Sequence, residues 1–127
     1  MVEDPLSQSL KKRPPRSVDL TALAVRFSYV VPEPRLLGVL HDLAPLVEIG
    51  AGTGYWAYLL RKTDTDIVAF DQTPPGSSRD NRYHPNTVCW TAVGVGDQTE
   101  LVRHRDRTLF VCWPPLFSSL GDCLSFY

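Results

Sequence analysis

Residues 47–54 read Val-Glu-Ile-Gly-Ala-Gly-Thr-Gly, and Asp71 stands 17 residues beyond Gly54 at the end of the next apolar run. These residue types at this spacing suit an adenosine-like cofactor. A strand that runs into alternating glycines can turn tightly and bring its backbone close to a ligand. A carboxylate at the end of the following strand can accept hydrogen bonds from both hydroxyls of a ribose. Glu48, two residues before Gly50, places a second acid at the same turn. A plain strand-to-helix turn also explains a glycine run, and Asp71 is what favours the cofactor reading.

The glycines Gly50, Gly52 and Gly54 form G-x-G-x-G, with Ala51 between the first two. A dinucleotide fingerprint requires G-x-G-x-x-G, and Tyr55 occupies the place of its third glycine. An NAD(P)-dependent oxidoreductase is therefore disfavoured. Two further residues follow apolar runs: Asp97 and Trp113, the latter continuing into Pro114-Pro115. Asp97 reads as a ligand contact or as a turn-forming aspartate. Trp113 reads as a face for a cation or as a packing aromatic. No general base stands out, with Asp80 and His84 as the nearest candidates. Cys89, Cys112 and Cys123 are odd in number and lack C-x-x-C spacing. They read as reduced, buried thiols of a cytoplasmic protein, without a metal.

The elements that must position these residues alternate in type. Residues 18–30 carry Leu20, Leu23, Ala24 and Phe27 at helical spacing, and Pro32 and Pro34 end that segment. A short helix is predicted from Glu33 to Leu43, a strand at 46–49, a helix opening near Tyr55 and a strand at 66–70. Residues 72–86 are rich in Pro, Gly, Ser and Asn and read as a long functional loop. Strand three is predicted at 87–93, a turn at 94–97, a short helix at 98–104 and strand four at 108–113. A last helix is expected within 116–127, capped by Ser118 or Ser119. Such alternation predicts an α/β fold, a parallel sheet with helices on both faces. Gly50, Asp71, Asp97 and Trp113 would then share the carboxyl ends of the strands, where these sheets bind ligands.

Composition agrees with an ordinary globular domain: 127 residues, 43% hydrophobic and 21% charged. A net charge of -1 supplies no field that calls for nucleic acid or an anionic membrane. No apolar stretch is long enough to span a bilayer, and the first twenty residues lack the apolar core of a secretory signal. Residues 1–17 read as a disordered basic arm preceding a domain over 18–127. Lys11, Lys12 and Arg13 offer a nuclear-import reading of that arm, against a cytoplasmic default.

Residues 46–116 resemble the core of the class I, Rossmann-like S-adenosylmethionine-dependent methyltransferases through their fourth strand. Glu48-Ile-Gly-Ala-Gly-Thr-Gly54 is similar to motif I, and Ala69-Phe-Asp71 to the acidic end of motif II. Gly96-Asp97-Gln98 resembles the turn after strand three, and Cys112-Trp-Pro-Pro115 occupies the place of the Pro-Pro motif after strand four. The resemblance implies S-adenosylmethionine as cofactor and a role for each matching residue. The loop Gly50-Ala51-Gly52-Thr53-Gly54 would pass under the methionine moiety, with Glu48 ordering it and reaching the amino group. Asp71 would hold the ribose, Gln72 would lie beside the adenine, and Asp97 would face the adenine amino group. Trp113 and Pro114 would stand near the transferred methyl.

Two departures from the family pattern matter. Trp113 replaces the Asn or Asp whose oxygen would receive a target amine, and Leu116 replaces an aromatic residue. The acceptor therefore reads as a small molecule or protein rather than nucleic acid. The family's sheet also continues beyond its fourth strand, whereas this chain ends at Tyr127. The resemblance thus implies a domain truncated after about the fourth strand, with impaired activity. An apolar fourth-strand edge would be left open to self-association. The rival expectation is a non-catalytic remnant acting as an interaction module.

Overall fold

The computed structural model describes residues 19–114 and 120–127. Four strands, β1 (Leu46–Ile49), β2 (Ile67–Asp71), β3 (Gly94–Val95) and β4 (Thr108–Phe110), form an all-parallel sheet in the order β3-β2-β1-β4. Helices α1 (Leu20–Arg26), α2 (Pro34–Asp42), α3 (Tyr55–Arg61) and α4 (Leu120–Phe126), with a 3-10 helix at Gln98–Arg103, complete an α/β, Rossmann-like arrangement. The basic arm and the serines expected to cap the last helix lie outside the described residues.

β1 is one of two inner strands, buried along its whole length, and alternation sends its side chains to both faces. Leu46 packs with Ala57, Leu60, Ile67 and Ala69 beneath α3, and Leu37 and Leu40 of α2 close that layer. Val47 and Ile49 face Leu101 of the 3-10 helix, with Leu109, Val111, Cys123 and Phe126 around them. Register is set by parallel pairing of Val47 with Val68 on one side and with Leu109 on the other.

Strand three departs from expectation. Residues 87–93 do not pair, and the two-residue strand falls on Gly94 and Val95, expected to be a turn. Tertiary contacts take the earlier residues away from the sheet. The Trp90 amide donates to the Thr53 carbonyl, and its indole nitrogen donates to the Arg26 carbonyl, both over 2.8 Å. The Trp90 ring stacks on Phe27 with centroids 4.9 Å apart. Arg61 donates to Thr91 Oγ1, to the Ala92 carbonyl and to the Ile67 carbonyl, clamping the segment against α3. Gly94 and Val95 then pair with Phe70 and Asp71 of β2, and a β-carbon on Gly94 would lie 2.9 Å from the Phe70 ring.

Other boundaries moved less. Strand four stops at Phe110, and the first helix ends at Arg26. The apolar stripe of that helix is not core, for Leu20 and Leu23 are exposed. Residues 27–30 instead leave the helix and run across the sheet's carboxyl end.

Candidate functional site

A cleft of about 980 Å³ opens at the carboxyl ends of the strands. Its volume lies at the upper end of what small-molecule and cofactor sites span. Glu48, Gly50, Ala51 and Gly52 line it from the first turn, and Asp71 and Gln72 from the end of β2. Asp97 lines it after β3, and Trp113 and Pro114 after β4. Of the residues that the resemblance assigns to the cofactor, Gly54 does not line it, and Asp80, named as a candidate base, does not either, whereas His84 does. Gly54 has φ of 71° at the N-cap of α3, and a β-carbon there would meet Val93 Cγ2 at 2.6 Å. It serves the packing of α3 on the 91–93 segment.

The glycine loop is fastened at both ends. Ala51 donates to the Phe70 carbonyl over 2.9 Å, and Gly52 donates to Asp71 Oδ2 over 2.8 Å. Asp71 Oδ1 accepts from the Thr73 amide at 2.9 Å and from Asn81 Nδ2 at 3.4 Å. A carboxylate offers about four lone-pair sites. Three are engaged by these protein donors, so one more donor, such as a single ribose hydroxyl, fits without breaking a bond. The two-bond diol grip expected from sequence requires one internal donor to yield.

Glu48 presents the opposite case. It is 2% exposed, and its Oε2 finds no hydrogen-bond partner among the described residues. Burial pushes its carboxyl up to about 8; the Arg61 charge opposes the rise and the Asp71 charge adds to it. A buried, unpaired acceptor is costly unless something supplies a donor. Nearby, burial pushes the Cys112 thiol up to about 11, with the Glu48 charge contributing. All three cysteines are free and only half-buried.

Asp97 caps the 3-10 helix. Its Oδ1 accepts from the Thr99 amide at 2.9 Å and from Thr99 Oγ1 at 2.6 Å. These bonds hold its carboxyl below the usual range. The turn-forming reading of Asp97 thus has direct hydrogen bonds behind it, and the residue lines the cleft as well.

His84, named from the sequence as a candidate base, is buried and docks on the glycine loop. Its Nδ1 lies 2.7 Å from the Val25 carbonyl, which requires that nitrogen to carry the proton. A β-carbon on Gly52, whose φ is 55°, would come within 2.7 Å of His84 Nε2. Asn81, also buried, organises the loop that delivers His84. Its Oδ1 accepts from the amides of Tyr83 and His84, and its Nδ2 donates to the Thr73 carbonyl.

The roof of the cleft comes from residues after α1. Thr53 Oγ1 donates to the Phe27 carbonyl, Trp56 Nε1 donates to Ser28 Oγ at 3.0 Å, and the Tyr29 hydroxyl donates to the Tyr83 carbonyl at 2.8 Å. Asn81, Tyr29 and Tyr83 escaped the sequence reading of the site. The length of the 72–86 loop is the available signal for Asn81 and Tyr83, and nothing local marks Tyr29.

Comparison of the chain with protein-family models, with curated proteins and with solved structures finds no match. Among the described residues no helix is long and apolar enough to cross a membrane.

Proposed function

We propose that the chain binds S-adenosylmethionine in this cleft and belongs to a methyl-transfer enzyme acting on a small molecule or protein. One observation carries the reading. Glu48, the Gly50–Gly52 turn, Asp71, Asp97 and Trp113 come from the ends of four parallel strands and line one cleft, where Glu48 Oε2 is buried without a partner among the described residues. The residues present fit the cofactor's chemistry. A donor of positive charge, such as an amino-acid ammonium, would satisfy Glu48 and draw off its proton. Asp71 can accept one ribose hydroxyl, with Gln72 exposed beside it. When bound, the cofactor supplies a methyl group already activated on a sulfonium. The chain's task is then to align the acceptor and exclude water, more than to perform covalent chemistry. Trp113 and Pro114, beyond β4, flank the opening through which an acceptor would enter.

The test is calorimetric titration of the purified chain with S-adenosylmethionine and, separately, with NADH. Saturable binding of the first alone is expected. Binding of NADH alone, or of neither, rejects the reading. In the second case the interaction-module alternative is favoured, since β4 pairs with β1 on one side and with no other described strand.

A further inference from the structure

We infer that Tyr29 and Trp113 form an aromatic clamp that selects a planar ring as the small-molecule partner of the cleft. This rests on the methyl-transfer reading for the ring's role as acceptor, and on geometry alone for its shape. The two rings lie 14° from parallel with centroids 6.5 Å apart. Rings in direct face-to-face contact would sit about 3.5–4.0 Å apart, and one flat ring held between two others needs about 7 Å. Centroids 6.5 Å apart at this tilt describe an offset stack, so the two parallel rings contact one another in the free chain and must part to admit a single flat ring.

The two jaws are built differently. Tyr29 is fixed: its hydroxyl is tied to the Tyr83 carbonyl, and its ring meets His84 edge-on at 5.4 Å. Through His84 it is braced against the glycine loop. Trp113 is the free jaw. It is 65% exposed, and its backbone has φ of 55°, a left-handed conformation that residues with a β-carbon avoid. The ring contact recorded for Trp113 is the offset stack on Tyr29, which leaves most of this strained, exposed aromatic at the cleft to be covered by a ligand. Tyr83, 43% exposed, extends the same wall. A planar aromatic or heteroaromatic molecule would touch both faces, and a saturated ring of equal size is too thick to do so.

The experiment titrates the full chain, with S-adenosylmethionine absent and then present, with 6-hydroxyquinoline and with its saturated counterpart decahydroquinolin-6-ol. The flat ring is expected to bind about tenfold more tightly than the saturated one. Trp113→Ala should weaken the flat ring about tenfold and S-adenosylmethionine by less, whereas Trp113→Phe should retain most of the preference. Equal affinity for flat and saturated rings overturns the clamp. Equal loss of S-adenosylmethionine and quinoline in Trp113→Ala overturns its assignment to the acceptor, because the clamp would then hold the cofactor's adenine. Preferential quinoline binding without any S-adenosylmethionine binding supports the clamp and rejects the methyl-transfer reading, so the two fail separately.

Discussion

The backbone N–H of Gly52 donates to Oδ2 of Asp71 over 2.8 Å, tying the glycine loop to the end of β2. The carboxylate proposed to hold a ribose therefore also shapes the loop that would lie under the rest of the ligand. On that proposal, binding and loop order would be coupled at one side chain.

Asp71→Ala should weaken both. A hydrogen bond to a charged group contributes about 1.5–3 kcal/mol, so S-adenosylmethionine affinity is expected to fall roughly 10- to 150-fold. Thermal stability should fall as well, because the amides of Gly52 and Thr73 lose their acceptor. Titration calorimetry with melting curves checks this. Unchanged affinity in a folded variant removes Asp71 from the site.

Glu48 predicts a pH dependence of stability. Its carboxyl titrates at about 8 in the folded chain against 4.5 when unperturbed. Between these values the folded state binds the extra proton, so stability falls as pH rises. The slope from this group is at most about 1.4 kcal/mol per pH unit. Glu48→Gln, neutral at every pH, should flatten the curve and raise stability near pH 8. Urea denaturation at pH 5.5, 7 and 8.5 measures it, and parallel curves for the two proteins would discard the buried-acid argument.

Gly52 and His84 should be energetically coupled. Gly52→Ala brings a β-carbon against the imidazole at a left-handed φ, so it is expected to cost about 1–3 kcal/mol. His84→Ala clears the space. A double-mutant cycle should show the pair less damaging than the sum of the singles by at least about 0.5 kcal/mol. Strict additivity would mean that the ring is not the obstacle.

Trp113→Gly should stabilise the free chain. Left-handed backbone costs a residue with a β-carbon about 1–2 kcal/mol, and the ring is mostly exposed. A melting temperature raised by a few degrees, together with loss of ring binding, is the expected trade between stability and function. A lower melting temperature would show that the indole packs in the core.

Self-association through β4 is testable by sedimentation. Its outer edge pairs with no described strand, and open edges recruit other chains. Dimers or larger species are expected at low micromolar concentration. A monomer at every concentration would retire that edge as a contact surface.

Much of this was already decided along the chain. The apolar run at 46–49, the alternating glycines and the apolar run ending at Asp71 dictate strand, turn, helix and strand, because each rests on local backbone preference and side-chain period. Local pattern alone therefore brings Glu48, Gly50, Gly52 and Asp71 to one cleft. Local pattern could not decide what residues 87–93 would do. Their alternation suits a strand, but Arg61 and the Phe27–Tyr55–Trp90 cluster, distant in sequence, hold them elsewhere. Nor could it reveal that His84 sits on Gly52, that Tyr29 faces Trp113, or that Asp71 already holds three donors. Those facts depend on which remote groups arrive at the same place. Periodicity encodes which face of an element turns inward, and only the packed chain determines what meets it there.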